Sequence, residues 1–192
     1  MAGRGRLIYG MNVSLDGFVA TPDGGLGWAT VDEEVHRWWN DQLRGSGGSL
    51  YGRRIYEVMA GYWPTAEQDP GISDVERDFA QVWNPMPKVV FSTTLGSVDD
   101  SARLVRGDVR EVLAEVRRDL DGNLDVSGPN LAGQFIRAGL VDEYQLVIHP
   151  VVLGAGIPFW PELDEPLRLR LVEARDFSSG VVLRSYVPAD PG

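Results

Sequence analysis

Two arginines, Arg53 and Arg54, stand directly after Gly52, where an apolar stretch gives way to residues at helical spacing. A helix starting at Gly52 would carry both cations in its first turn, beside N–H groups that already form the positive end of its dipole. In plain solvent that placement costs roughly a few tenths of a kcal/mol; a bound anion reverses the sign. Further on, Ser127-Gly128-Pro129-Asn130-Leu131 joins a strand-like stretch, residues 124–126, to a helical one that runs to Leu140. Small residues let the backbone approach a ligand closely, and the helix start aims its unpaired N–H groups at it, which is how phosphate is held. The same turn also serves as an ordinary strand-to-helix connection. Ser92, Thr93 and Thr94 follow the strand-like residues 88–91 and offer three hydroxyls, which would serve either a ligand or their own loop.

These groups need elements to carry them. Residues 6–13 read as a buried first strand that passes through Ser14 into an Asp16-Gly17 turn. Residues 21–27 form a loop, followed by Trp28. Thr30 and Glu33 match a capping box opening a helix over 31–44, with Val35, Trp38, Trp39 and Leu43 inward. Residues 47–51 are a short strand. Ser73 with Glu76, and Asp108 with Glu111, open two further helices, the second carrying Val109, Val112, Leu113, Val116 and Leu120 as one stripe. Residues 144–153 are strongly β, with His149 before Pro150 as a structural or interface residue, and residues 167–171 and 181–187 make a closing hairpin. This order predicts one α/β domain over residues 1–192, with a mostly parallel central sheet and antiparallel strands at one edge. Ligands of such sheets bind beyond the carboxyl ends of the strands. Residues 14–20, 52–54, 92–94 and 127–131 all follow predicted strands, and their convergence points to a nucleotide site. A Gly-x-Gly-x-x-Gly fingerprint and a Walker loop are both absent, which sets aside the common dinucleotide and P-loop folds.

Composition narrows the chemistry. The chain has 192 residues, 43% of them hydrophobic, and a formal charge of −10, which repels nucleic acid and anionic membranes. There is no cysteine and only two histidines, so disulfides, thiolate catalysis, cysteine-ligated zinc and a zinc deaminase site are excluded, and no metal site is expected. No apolar run reaches spanning length and the start lacks a signal pattern, which predicts a cytoplasmic protein.

The segments VSLDGFVA (13–20), YGRRIYEVMAGYWP (51–64), PKVVFSTTL (87–95), DVSGPNLAGQFIRAGLVDEYQLVIHPVVLGAG (125–156) and FSSGVVLRSYV (177–187) cover most of the chain in order. With them the chain resembles the dihydrofolate reductase-like superfamily, and within it stand-alone relatives of the reductase domain of bifunctional riboflavin-biosynthesis deaminase/reductases. The resemblance implies a three-layer dihydrofolate reductase-like fold and an NADPH-dependent reductase of a small pyrimidine- or pteridine-type heterocycle. It also implies a homodimer through the C-terminal β region. A dihydrofolate reductase proper and a non-catalytic NADP-binding or structural homodimer are the alternatives.

By the same resemblance, Val13, Ser14 and Ala20 would contact the cofactor, the first two beside the nicotinamide. Gly52, Arg53 and Arg54 would hold its phosphates, with an arginine favouring the 2′-phosphate. Ser92, Thr93 and Thr94 would line the adenosine end, and Ser127, Gly128, Pro129, Asn130 and Leu131 would receive the pyrophosphate. Proton relay would fall to Asp32 or Glu33 at the start of the first helix, or to Asp16, whose other reading is a turn-stabilising side chain. Trp28 and Trp63 would wall a flat heterocycle or belong to the core. Three positions depart from the relatives. Ile55 replaces a threonine common in dihydrofolate reductases. Gly10 stands where riboflavin reductases usually carry lysine, and Val126 where they tend to have glutamate.

Overall fold

The computed structural model describes residues 5–189. Eight strands form one sheet in the order β5-β4-β3-β6-β1-β7-β10-β9. They are β1 (Leu7–Ser14), β3 (Ser46–Gly52), β4 (Lys88–Phe91), β5 (Ala102–Val105), β6 (Asn123–Ser127), β7 (Glu143–His149), β9 (Leu169–Asp176) and β10 (Val182–Pro188). The first six in space run parallel, and β10 and β9 are antiparallel at the edge, as predicted. Two short strands, β2 (Phe18–Ala20) and β8 (Ile157–Pro158), pair with each other outside it. The chain starts in the middle of the sheet at β1, crosses to β3, runs outward to β5 and returns to fill the gap with β6. Such a reversal leaves crevices at the carboxyl ends of the strands.

Helices cover both faces. On one face α4 (Val109–Asp119) and α5 (Pro129–Arg137) seat Val112, Leu113, Val116, Leu131 and Phe135 on Leu7, Tyr9, Leu50, Leu124 and Val126, all buried. Burying side chains of this size stabilises by roughly 1.5–3 kcal/mol each, so this stripe is the main core. On the other face α1 (Glu33–Arg44) places Val35 and Trp38 on Val147 and Leu183. Its Leu43 packs with Trp83 of α3 (Asp74–Trp83), and α2 (Arg53–Tyr62) sets Tyr56 against Tyr51 and Val90. A 3-10 turn over Trp63–Gln68 links α2 towards α3.

The caps differ from expectation at two helices, since at α4 Glu111 does not complete the box that Asp108 begins, and α1 takes a different cap residue. Ser73 and Glu76 make the full capping box, and Asp108 caps α4 through the Arg110 amide. For α1, however, the cap is Asp32, whose Oδ1 accepts from the amides of Glu34 and Val35 at 2.8 and 3.0 Å. Thr30 is not the cap, and Glu33 pairs with Arg37 one turn on. Aspartate ranks above threonine as an N-cap, and here it takes the position the capping-box pattern gave to Thr30. β7 ends at His149 because Pro150 has no N–H to continue a ladder. β5 was not anticipated, being four residues long with Arg103 in its middle.

Candidate active site

Two helices begin side by side at the carboxyl edge of the sheet, and neither has a side-chain cap. β6 ends at Ser127, Gly128 turns the chain with φ +95°, and Pro129 opens α5. Only glycine suits this turn, because the φ is positive and a Cβ would also lie 3.1 Å from Ile55 Cγ2. The first internal bond of α5 runs from the Ala132 amide to the Gly128 carbonyl, so the Asn130 and Leu131 amides have no partner within the helix. α2 starts just across the gap, and a Cβ on its cap residue Gly52 would touch Leu131 Cβ at 3.6 Å. Two positive dipole ends therefore meet, while α1, α3 and α4 are each closed by an oxygen of Asp32, Ser73 or Asp108.

Two clefts open at this edge. The smaller, about 370 Å³, is lined by Arg53, Phe91, Ser92, Thr93, Thr94, Val105, Arg106, Gly107 and Gln134. It gathers Arg53 and all three predicted hydroxyl residues. Ser92 Oγ also accepts from the Thr94 and Leu95 amides at 3.1 and 3.0 Å, so this hydroxyl shapes its own loop. Arg53 reaches Glu57 at 3.2 Å, which offsets the unfavourable position of its charge in the first turn. Arg54 is exposed and lines neither cleft. Arg106 and Gln134 are additions. Arg106 follows β5, and without that strand nothing in the sequence places it beside Ser92.

The larger cleft, about 450 Å³, has a floor of alternate residues on one sheet face: Gly10 and Asn12 on β1, Ser49 on β3, Asp125 and Ser127 on β6, and Gln145 on β7. The register puts Asp125 beside Ser49, Ser127 beside Tyr51, and Gly10 beside Gln145. Trp28, Trp39, Met59, Trp63 and Phe79 form its walls, so both predicted tryptophans are present. Trp63 packs on Phe79 with ring centroids 4.3 Å apart, and Trp39 Nε1 donates to Asn12 Oδ1 at 3.2 Å. Trp28 Nε1 is buried without a hydrogen-bond partner. Ser127 and Ile55 lie on this cleft while Arg53 and Gln134 lie on the other, so α2 and α5 stand between the two; Gly52, Gly128, Pro129, Asn130 and Leu131 themselves line neither.

The proposed proton carriers are engaged elsewhere. Asp16 accepts from the Ser14 hydroxyl at 2.7 Å and from the Leu153 and Gly154 amides at 3.1 and 2.7 Å. The hydroxyl foremost, with those amides, holds its carboxyl below the usual carboxylate range, as suits a loop clamp. Burial works to raise the Asp32 carboxyl, but the Ser179 hydroxyl and the Val35 and Glu34 amides outweigh it and hold the group low. Neither Asp16, Asp32 nor Glu33 lines a cleft. Val13, Ser14 and Ala20 are buried and also lie outside both, with Val13 and Ala20 in the core and Ser14 accepting from the Phe18 amide. His149 is buried, bonded to Asn12 Oδ1 at 3.1 Å and edge-on to Trp28, which fits its structural reading.

Two carboxyl residues line the larger cleft: Glu76, whose Oε2 is taken up by the Ser73 amide and hydroxyl, and Asp125 on its floor. Burial pushes Asp125 up to about 7, against a smaller opposing effect of the Ser46 hydroxyl, and its Oδ2 is buried with no partner. The sign of it in the sequence was the alternation Leu124-Asp125-Val126-Ser127: in a central strand covered on both faces, every second residue lies half-buried on the side away from the main core.

The family model of the RibD C-terminal domain matches residues 6–183. The uncharacterised protein YyaP of Bacillus subtilis (strain 168) is 33% identical over 182 residues, 94% of either chain. Among solved structures, a putative riboflavin biosynthesis protein from Shewanella sp. PV-4 superposes with a TM-score of 0.76 at 20% identity, over 96% of this chain and 99% of that one. The deaminase/5-amino-6-(5-phosphoribosylamino)uracil reductase of Thermotoga maritima gives 0.69 at 16%, over 97% of this chain and 57% of that one. Dihydrofolate reductase from Enterococcus faecalis, complexed with NADP(H), gives 0.66 at 15%, over 99% and 100%. At these identities the structures establish a dihydrofolate reductase-like fold.

Proposed function

The chain belongs to the RibD C-terminal domain family, and from that premise we propose that it is an NADPH-dependent reductase of a small pyrimidine- or pteridine-type heterocycle. The observation that carries this reading is the meeting of two uncapped helix starts between an arginine- and hydroxyl-lined cleft and a tryptophan-walled one. The first suits the phosphates of a dinucleotide and the second a flat ring. The fold is shared with an NADP(H)-bound reductase.

The residues fit a dinucleotide. The free Asn130 and Leu131 amides, with Gly128 leaving room for close approach, suit a pyrophosphate. Arg53 and Arg106 provide guanidinium forks for a further phosphate, and Ser92, Thr93 and Thr94 line the same cleft. When bound, NADPH supplies the hydride. The protein holds the acceptor ring between Trp28, Trp39 and Trp63, excludes water with them, and keeps one protonatable carboxyl, Asp125, on the floor.

A homodimer and a cytoplasmic setting belong to the same reading. The edge strand β9 supports the dimer, with Leu171 and Val172 49% and 44% exposed. Calorimetric titration of the intact protein with NADPH and NADH is the test. The expected result is binding of both with NADPH preferred by about tenfold or more, as an added charge-assisted contact gives. Equal affinity, or none, would remove the role given to the arginine-lined cleft.

A further inference from the structure

The larger cleft has an electrostatic character that the cofactor does not explain. Among the residues lining it there is no lysine or arginine, and its charged members are Asp125 and Glu76. The one lining base, His36, bonds Asn40 Oδ1 through Nδ1 at 3.1 Å and feels the carboxylates of Glu76 and Asp78. At position 10, where the resemblance leads one to expect a lysine, the space is taken: a Cβ on Gly10 would lie 3.2 Å from two Trp39 ring atoms and from Gln145 Oε1. Trp39 is held there by its bond to Asn12. A phosphate brought into such a cleft would lose its water, face two carboxyl groups and meet no guanidinium or ammonium.

What the cleft does offer is specific. Ser49 Oγ is used on Met86 Sδ, and Gln145 Nε2 is used on Gln42 and Glu143. Two polar groups remain buried and unpartnered, Asp125 Oδ2 and Trp28 Nε1. Buried polar groups are normally satisfied, so an unpaired carboxyl oxygen and an unpaired N–H in one tryptophan-walled cleft mark places for ligand atoms. A carboxyl group accepts from an amine and from a ring N–H together, or donates to a ring nitrogen when protonated. The matching partner is the edge of an amino-substituted heterocycle, whose oxo group or ring nitrogen can accept from Trp28.

We propose that the larger cleft selects an unphosphorylated amino-heterocycle, of pterin or aminopyrimidine type, whose ring-nitrogen and amino edge pairs with Asp125. Its substrate is then not the phosphoribosylamino-uracil named for the Thermotoga maritima enzyme. This rests on the reductase reading for the identity of the cleft as the acceptor site.

Calorimetry on the full chain tests it with four probes: pterin, 5,6-diaminouracil, 5-amino-6-ribosylaminouracil and the 5′-phosphate of that nucleoside. The expected result is binding of the unphosphorylated compounds, with the phosphate ester about tenfold or more weaker than its parent nucleoside. Asp125→Asn should weaken pterin by about tenfold or more and leave NADPH affinity within about twofold. The proposal is overturned if the phosphate ester binds as tightly as the nucleoside, if none of the four probes binds, or if Asp125→Asn leaves pterin affinity unchanged. NADPH is titrated separately. Loss of that binding alone removes the reductase reading, and the probe affinities still decide what the cleft selects.

Discussion

Replacing Asp125 by asparagine should make the fold less sensitive to rising pH. The carboxyl has an ordinary value of 3.8 and is pushed up to about 7 by burial in the floor of the larger cleft. Between those values the unfolded chain has released the proton while the folded chain keeps it, so stability is complete below the unfolded value and drains as pH rises towards 7. Each unit of difference is worth about 1.4 kcal/mol, so the full loss is at most about 4 kcal/mol above pH 8. A domain of this kind has only about 5–15 kcal/mol in total, so the effect falls well within measurement. Asparagine has nearly the same shape and cannot ionise. Urea unfolding of parent and variant at pH 5, 6, 7 and 8 checks it, because titrations elsewhere cancel in the difference between the two curves. The variant should gain on the parent steadily over this range, by up to about 3 kcal/mol. Parallel curves would refute a carboxyl held protonated by burial.

Three further outcomes follow from named residues. Burial pushes His149 below the usual imidazole value, with the Asp32 charge opposing, so the unfolded chain takes up a proton there first and stability falls as pH drops below about 6.5. His149→Gln should flatten that part of a melting-temperature profile between pH 5 and 7. Gly128→Ala places a side chain at φ +95° and 3.1 Å from Ile55, so it should cost about 1–3 kcal/mol in urea unfolding and weaken NADPH in the same preparation. Arg106→Ala should reduce the preference for NADPH over NADH by about tenfold without moving the melting temperature, since this exposed side chain's one hydrogen bond is to the Leu95 carbonyl. An unchanged preference would detach Arg106 from cofactor recognition.

Local chemistry wrote much of this protein plainly. The alternation of strands and helices, the Ser73 capping box, the closing antiparallel strands and the glycine-proline start of α5 all depend on neighbours within a few residues, and each stands in the structure as the pattern implied. The two helix starts at residues 52–54 and 127–131 were legible for the same reason, because a helix start without a capping side chain is a local fact. Trp28 and Trp63 were legible as candidate walls because large aromatic side chains near loops have few places to go.

What the chain alone left open depends on residues far apart in sequence. Thr30 was expected to cap α1 and Asp32 does so instead, and Asp16, Asp32 and Glu33 found partners that kept them off the clefts. Arg106 joined Ser92 only through the pairing of β5 with β4. Asp125 gained its meaning last. Its identity and its place in an alternating strand are sequence, but its proton affinity is a matter of environment, set by the walls that α1, α2 and α3 raise over that face of the sheet. The sequence by itself determined where two helices start without a capping side chain. Tertiary structure decided that Asp125 lies on the floor of the larger cleft with its carboxyl pushed up, because burial is a property of the assembled fold.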